Sequence, residues 1–195
     1  MARTKRITFS KNSISINDVA IYHQDVDASL RMLFTSAKLT AYHPMRLFIT
    51  SMTPGIAARF VGKGLSQIDE ELVERLYETE LRSALAMLAS LDAAFRIDYL
   101  QRCQQRKRDQ VSRAFRVLYA HHGSRVRLED DIFETWRQVL PSTAYLVSQL
   151  KGAFKYRHWL AHGRFWEPKH GGKYDYQGIY ILAQSVLANF PLYRR

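Results

Sequence analysis

The chain has 195 residues and carries 29 Lys+Arg against 18 Asp+Glu, a formal net charge of +11. That length fits one domain, or one domain with an extra lobe. A hydrophobic fraction of 47% supplies a sizeable core and excludes general disorder. No apolar run approaches the ~20 residues of a membrane span. The basic start Met1-Ala2-Arg3-Thr4-Lys5-Arg6 leads into Ile7-Thr8-Phe9-Ser10-Lys11-Asn12 rather than an apolar signal core. Cys103 is the single cysteine, which excludes an intramolecular disulfide and a Cys-cluster zinc site. The expectation is a cytoplasmic protein with no membrane partner and a polyanionic one, nucleic acid foremost.

In chain order, Ile7 to Ile16 alternates in part and predicts a strand or an ordered arm, and Asp25 to Leu39 predicts helix. Met45 to Lys63 is ambiguous and is broken at Pro54-Gly55. No glycine stands between Gly64 and Gly123, and no proline between Pro54 and Pro141. Such a stretch, rich in Leu, Ala, Arg, Glu and Gln, reads as helix. Ser66-Gln67-Ile68-Asp69 resembles a capping box with Ser66 at the N-cap. Leu72, Val73, Leu76, Leu81, Leu85 and Leu88 follow near a helical period. Helix is therefore expected over about 67–91, continuing or bending into Phe95–Cys103.

A second helix is predicted from Gln105 to His121, ended at Gly123, and a third from Leu128 to Leu140, ended by Pro141. Ser142 is the expected cap of the next, which carries Leu146, Leu150, Phe154 and Leu160 and stops at Gly163. A basic loop spans Arg164 to Lys173, and Asp175 caps a last helix with Ile179, Ile181, Leu182, Val186 and Leu187. The architecture this implies is all-α, a bundle of roughly five helices. Residues 1–65 are expected to form an N-terminal extension, an arm plus a helix that is either separate from the bundle or part of it, and 66–195 the helical domain.

Chemistry concentrates in Lys155-Tyr156-Arg157-His158-Trp159-Leu160-Ala161-His162-Gly163-Arg164-Phe165-Trp166. His158 and His162 stand at i and i+4 on one helix face. Arg157 lies about 140° around the helix from His162, five residues at roughly 100° each. Histidine accepts and returns a proton near neutral pH, and arginine is a permanent bidentate donor to phosphate or to a phosphorane-like transition state. Together they suffice for RNA cleavage without a metal. The same residues also suit a plain helix C-terminus, where cations complement the dipole.

Arg157-His158-Trp159-Leu160-Ala161-His162-Gly163 resembles the signature of the HEPN superfamily (higher eukaryotes and prokaryotes nucleotide-binding domains). That signature is Arg, four to six residues, then His, often with Asn, Asp or His after the Arg and Ala-His-Gly at the end. The literal match covers about these seven residues, in a helical context of roughly 66–190. The resemblance implies a HEPN-like helical bundle and a homodimeric, metal-independent endoribonuclease that needs no cofactor. In that setting it would be a prokaryotic toxin or antiviral-defence effector with an antitoxin or other regulatory partner. His162 would be general base or acid, Arg157 would stabilise the transition state, and His158 would position phosphate. Members of the superfamily often carry an acid with a basic residue four positions later on an earlier helix, a spacing that Asp92 and Arg96 match; Asp92 would there orient Arg157 or a histidine of the facing helix, and the same spacing also suits a plain surface i,i+4 ion pair. The alternative is a catalytically inactive HEPN-like module that binds RNA or a partner protein.

Eight Lys/Arg between Arg102 and Arg127, against Asp109 alone, suggest a phosphate track that includes Arg106 and Arg113. Lys155, Arg164, Lys169 and Lys173 would stand near a site at His162. Gly171-Gly172-Lys173 lacks the spacing of a P-loop. Trp159 and Trp166 offer rings for base stacking, with Trp159 better suited to the core. His158 and His162 have the spacing of two zinc ligands but no Glu or third ligand beside them, so no metal site is expected. Asp69 to Glu80 holds six carboxylates and reads as a solvated face.

Overall fold

The computed structural model describes residues 9, 12–42, 56, 58–105, 107–167 and 174–193. Among these the chain is all-α, with no strand. Of the predicted arm, residues 7, 8, 10 and 11 lie outside the described set, while Phe9 and residues 12–15 are not strand. Helix α1 (Ile16–Tyr42) extends the expected helix at both ends.

Helix α2 (Leu65–Gln105) runs 41 residues, about 60 Å at 1.5 Å per residue, and passes without a break through the region where a bend was an option. Its start differs from the predicted capping box. The Gly64 N–H donates to Gln67 Oε1 at 2.9 Å, while Ser66 Oγ donates to Glu70 inside the first turns. Gly64 therefore occupies the cap and Gln67, three residues on, supplies the reciprocal half of the box.

Helix α3 (Gln110–His122) starts at Asp109, whose carboxylate accepts from Ser112 N at 2.9 Å. It ends at Gly123, with φ 59° and ψ −133°, a conformation that essentially only glycine adopts. A 3₁₀ turn (Gly123–Arg125) and a π-helical turn (Leu128–Ile132) lead into α4 (Phe133–Val139). In the π turn, Asp131 N and Ile132 N both bond to Arg127 O, at 3.1 and 3.2 Å. A 3₁₀ turn at Pro141–Thr143 precedes α5 (Ala144–Ala161). Thr143, not Ser142, stands at the N-cap, and its hydroxyl donates back to Leu140 O at 2.7 Å rather than capping α5. Helix α6 (Tyr176–Asn189) begins at the predicted Asp175 cap, with Gly178 N donating to the carboxylate at 2.7 Å.

Val73 and Ile181, expected on buried faces, are 67% and 56% exposed. Adjacent helical residues point about 100° apart, and Val73 and Ile181 fall beyond the edge of the apolar face that Leu72 and Leu182 help to form.

The chain divides into two compact units. One is Asn17–Ser83; the other is Ala84–Arg195 with the segment ending at Ile16. The boundary thus falls inside α2, whereas the sequence suggested a division after residue 65. In the Asn17–Ser83 unit, Phe34, Ala37, Phe60 and Ile68 form a core with Leu30, Leu33 and Leu72 packed on it. Phe34 and Phe60 meet edge to face at 5.2 Å.

The other unit is organised by aromatic rings. Edge-to-face contacts run from Tyr99 to Phe115 (5.2 Å), Trp136 (6.0 Å), Phe190 (5.4 Å), Phe95 (5.2 Å), Phe133 (5.0 Å) and Phe154 (5.6 Å). Each such pair adds about 0.5–1.5 kcal/mol beyond area burial. Since these rings come from α2, α3, α4, α5 and the end of α6, they lock those helices into one core. No described helix is long and apolar enough to cross a membrane.

Candidate functional site

The last turns of α5 carry the heptad. Phe154, Tyr156, Trp159 and Leu160 are buried, which leaves Lys155, His158 and His162 exposed and Arg157 half-buried between the two faces. The helix stops because Gly163 takes φ 82°, and Arg164 N then reaches back to Trp159 O at 3.3 Å. Arg164 also has a positive φ of 57°, unusual without glycine, so the chain reverses sharply beyond His162.

The following segment is pinned to α5 at two points. The Trp159 indole N–H donates to Trp166 O. The Tyr174 hydroxyl lies against the helix at Gly152, where a Cβ would overlap it and stand 3.0 Å from Cζ. Tyr156 stacks between Trp159 (5.3 Å) and Tyr174 (6.1 Å). Gly152 is therefore a close-approach glycine. Trp159 is 9% exposed and supports the loop rather than offering a free ring.

Arg157 faces inward. Its Nη1 stands 3.5 Å from Asp92 Oδ2 on α2, its guanidinium lies 5.6 Å from the centre of the Phe154 ring, and its Nε is shielded from solvent with no hydrogen-bond partner. Asp92 Oδ1 accepts from Arg96 Nε at 2.5 Å, and Arg96 Nη1 donates to Val126 O at 3.2 Å. The Asp92–Arg96 spacing thus reaches Arg157 through one shared carboxylate.

These groups line an open cleft of about 460 Å³, closed on the other side by Arg127, Glu129 and Asp130. Its ionic lining is balanced, three arginines against three carboxylates: Arg96, Arg127 and Arg157 face Asp92, Glu129 and Asp130. Burial and the neighbouring Asp130 raise the Glu129 carboxyl above its ordinary value, and Lys151, Lys155 and Arg157 partly offset this. Glu129 was not among the residues singled out from sequence. The signal available was Glu129-Asp130-Asp131 directly after a basic stretch; its placement needed the π turn.

The histidines belong to a different grouping. The His158 and His162 rings lie 4.1 Å apart, and His158 stands 6.2 Å from Trp166. Neither histidine lines the Arg157 cleft. The spacing expectation, one face for the histidines and another for Arg157, is what α5 presents.

The proposed phosphate track is divided. Arg113, Lys155 and Arg164 are exposed, while Arg106, Lys169 and Lys173 lie outside the described residues. Arg127 pairs with Asp130 at 3.1 Å, and Arg116 donates to Lys107 O at 2.6 Å. Arg102 is 3% exposed and forms no part of a surface track. Its guanidinium bonds Asp98 (2.8 Å), Asp109 (2.9 Å) and Pro191 O (2.5 Å), and lies 4.3 Å from the centre of the Tyr193 ring. The Cys103 thiol, pushed up to about 12 mainly by burial, donates to Phe115 O and is no nucleophile. Among the described residues no group of three or more His, Cys, Asp or Glu is placed to hold a metal ion. No known protein family, curated protein or solved structure matches the chain.

Proposed function

We propose that the protein is a metal-independent endoribonuclease of HEPN type, acting as a homodimer whose subunits share the site. The observation that carries this reading is the arrangement of the heptad. Arg157 is held by Asp92 in a cleft, and the His158 and His162 rings lie 4.1 Å apart on the exposed end of the same helix. A single chain turns its arginine and its histidines to different faces. A second copy, related by a two-fold axis along this helix end, brings the histidines of one subunit toward the arginine of the other.

In the reaction, His162 takes the proton of a ribose 2′-hydroxyl, whose oxygen forms a bond to the adjacent phosphorus. The bond from phosphorus to the 5′-oxygen breaks, and that oxygen leaves with a proton returned by a histidine. Arg157 donates to the non-bridging oxygens as their charge grows. The products are a 2′,3′-cyclic phosphate and a 5′-hydroxyl. A toxin or antiviral-defence role in the cytoplasm, under an antitoxin or other regulator, is the biological setting we propose.

A second reading rests on two observations. Arg157 already has an intramolecular partner and the cleft is electrically balanced, which suits an inactive module that binds RNA or a partner protein.

The test is mixed RNA incubated with the protein in EDTA, beside His162→Ala and Arg157→Ala. Cleavage to cyclic-phosphate ends, lost in both variants, is the expected result. Intact RNA throughout overturns the enzyme and leaves the binding module, and normal cutting by His162→Ala overturns the site assigned to that cleavage. A protein that sediments strictly as a monomer overturns the shared site.

A further inference from the structure

The loop after the heptad displays an aromatic pair that the proposed reaction does not use. Phe165 is 81% exposed and Trp166 is 37% exposed, with ring centres 4.4 Å apart and edge to face. Free aromatic side chains usually collapse onto the nearest apolar surface. The pair follows the reversal at Gly163 and Arg164, both at positive φ, and the Trp159 indole N–H donates to the carbonyl of Trp166. It is thus exposed on a turn whose backbone is anchored to the helix.

Its surroundings select the occupant. The Trp166 ring lies 6.2 Å from His158, whose ring is 4.1 Å from that of His162, and Lys155 is exposed one helical turn before His158. Of the described cations in this segment, Lys155 and Arg164 are exposed, while Lys151 and Arg157 pair with Glu134 and Asp92. An apolar ring pair beside exposed cations is mismatched to a cationic partner. It suits a ligand with flat π-faces strung on negative charge, which is single-stranded nucleic acid.

We propose that Phe165 and Trp166, with the His158 imidazole beside them, form a shelf on which an unpaired nucleobase of single-stranded RNA stacks. This rests on the reading that RNA is the ligand, and it adds the preference of that site for unpaired over duplex RNA. In a duplex the bases are already stacked and the shelf has nothing to receive.

The test uses a fluorescent single-stranded 2′-O-methyl oligoribonucleotide, which has no 2′-hydroxyl to attack, so binding is read apart from cleavage. The comparison ligands are the same strand with abasic sites and the same strand in a duplex. Phe165→Ala should weaken single-strand binding about tenfold, the loss expected for one stacked base. It should leave abasic-strand and duplex binding and the salt slope unchanged, because no phosphate contact is removed. Phe165→Trp should bind like the parent. Trp166→Phe should keep binding while removing most of the tryptophan quenching.

Phe165→Ala binding equal to the parent's overturns the shelf while leaving the RNA reading intact. Equal loss on the abasic strand overturns it too, because the residue would then act on the backbone. Parent protein that binds none of the oligonucleotides overturns both readings. A Phe165→Ala protein that binds RNA normally but no longer self-associates overturns the shelf and gives the pair to a protein contact.

Discussion

Asp98 Oδ1 accepts from Arg102 Nε at 2.8 Å and from Tyr193 N at 2.9 Å, with Asp98 fully buried and Asp98 Oδ2 unpartnered. The pair ties α2 to the start of α3 through Asp109 and to the C-terminal segment through Pro191 and Tyr193. Arg102→Ala leaves a buried carboxylate uncompensated and should cost about 3–5 kcal/mol in urea unfolding. Asp98→Asn should cost less, because an amide oxygen still accepts from Tyr193 N and Arg102 retains its bond to Asp109.

The same carboxyl makes stability depend on pH. Burial outweighs its hydrogen bonds and Arg102, and raises Asp98 from 3.8 to about 6. The folded state therefore binds more protons than the unfolded state between those values. The stability this contributes is complete below about 3.8 and is lost as pH rises through about 6. Unfolding midpoints of the parent minus those of Asp98→Asn should fall from pH 4 to pH 7; a flat difference contradicts the assignment.

Gly152→Ala sets two effects in opposition. Alanine gains about 1 kcal/mol of helix propensity. The new Cβ overlaps the hydroxyl of Tyr174, which is buried and stacked on Tyr156, and overpacking of that kind costs about 1–3 kcal/mol. The net expectation is a lower melting temperature, with Tyr174 displaced from Gly152 and from the Tyr156 ring. Tyr174→Phe in the same chain should restore only part of the loss, since Cζ would remain 3.0 Å from the new methyl.

In the proposed ribonuclease, Asp92 positions Arg157. Asp92→Ala removes the carboxylate shared by Arg96 and Arg157, and a guanidinium displaced by about 1 Å can lose a hundredfold in rate. RNA cleavage should fall by about that factor, with oligonucleotide affinity nearly unchanged. Asp92→Glu should recover part of it. Equal losses in rate and affinity would instead mark Asp92 as a folding residue.

Exposed cations should act through phosphate. Arg113→Ala and Lys155→Ala should each weaken oligonucleotide binding regardless of sequence and lower the log–log salt slope by about 1. Arg102→Ala measured where it remains folded should leave that slope alone, because Arg102 is interior.

Helix content, the Asp175 cap, the Gly123 and Gly163 stops and the opposite facing of Arg157 and His162 were legible in the sequence. All depend on neighbours within a few residues, where backbone propensity and a 100° step decide the outcome. Folding added what depends on residues far apart. It turned Arg102 from a surface charge into a buried clasp, because Asp98, Asp109 and the C-terminal segment meet around it. It chose Arg157 over a histidine as the partner of Asp92 and set Glu129 beside them through a π turn. It moved the unit boundary into α2, because the two ends of one unbroken helix serve separate cores. The charge of +11 was fixed by composition. Which of those charges meet solvent was decided only by packing, since burial depends on what covers a side chain, and sequence neighbours do not reveal the cover.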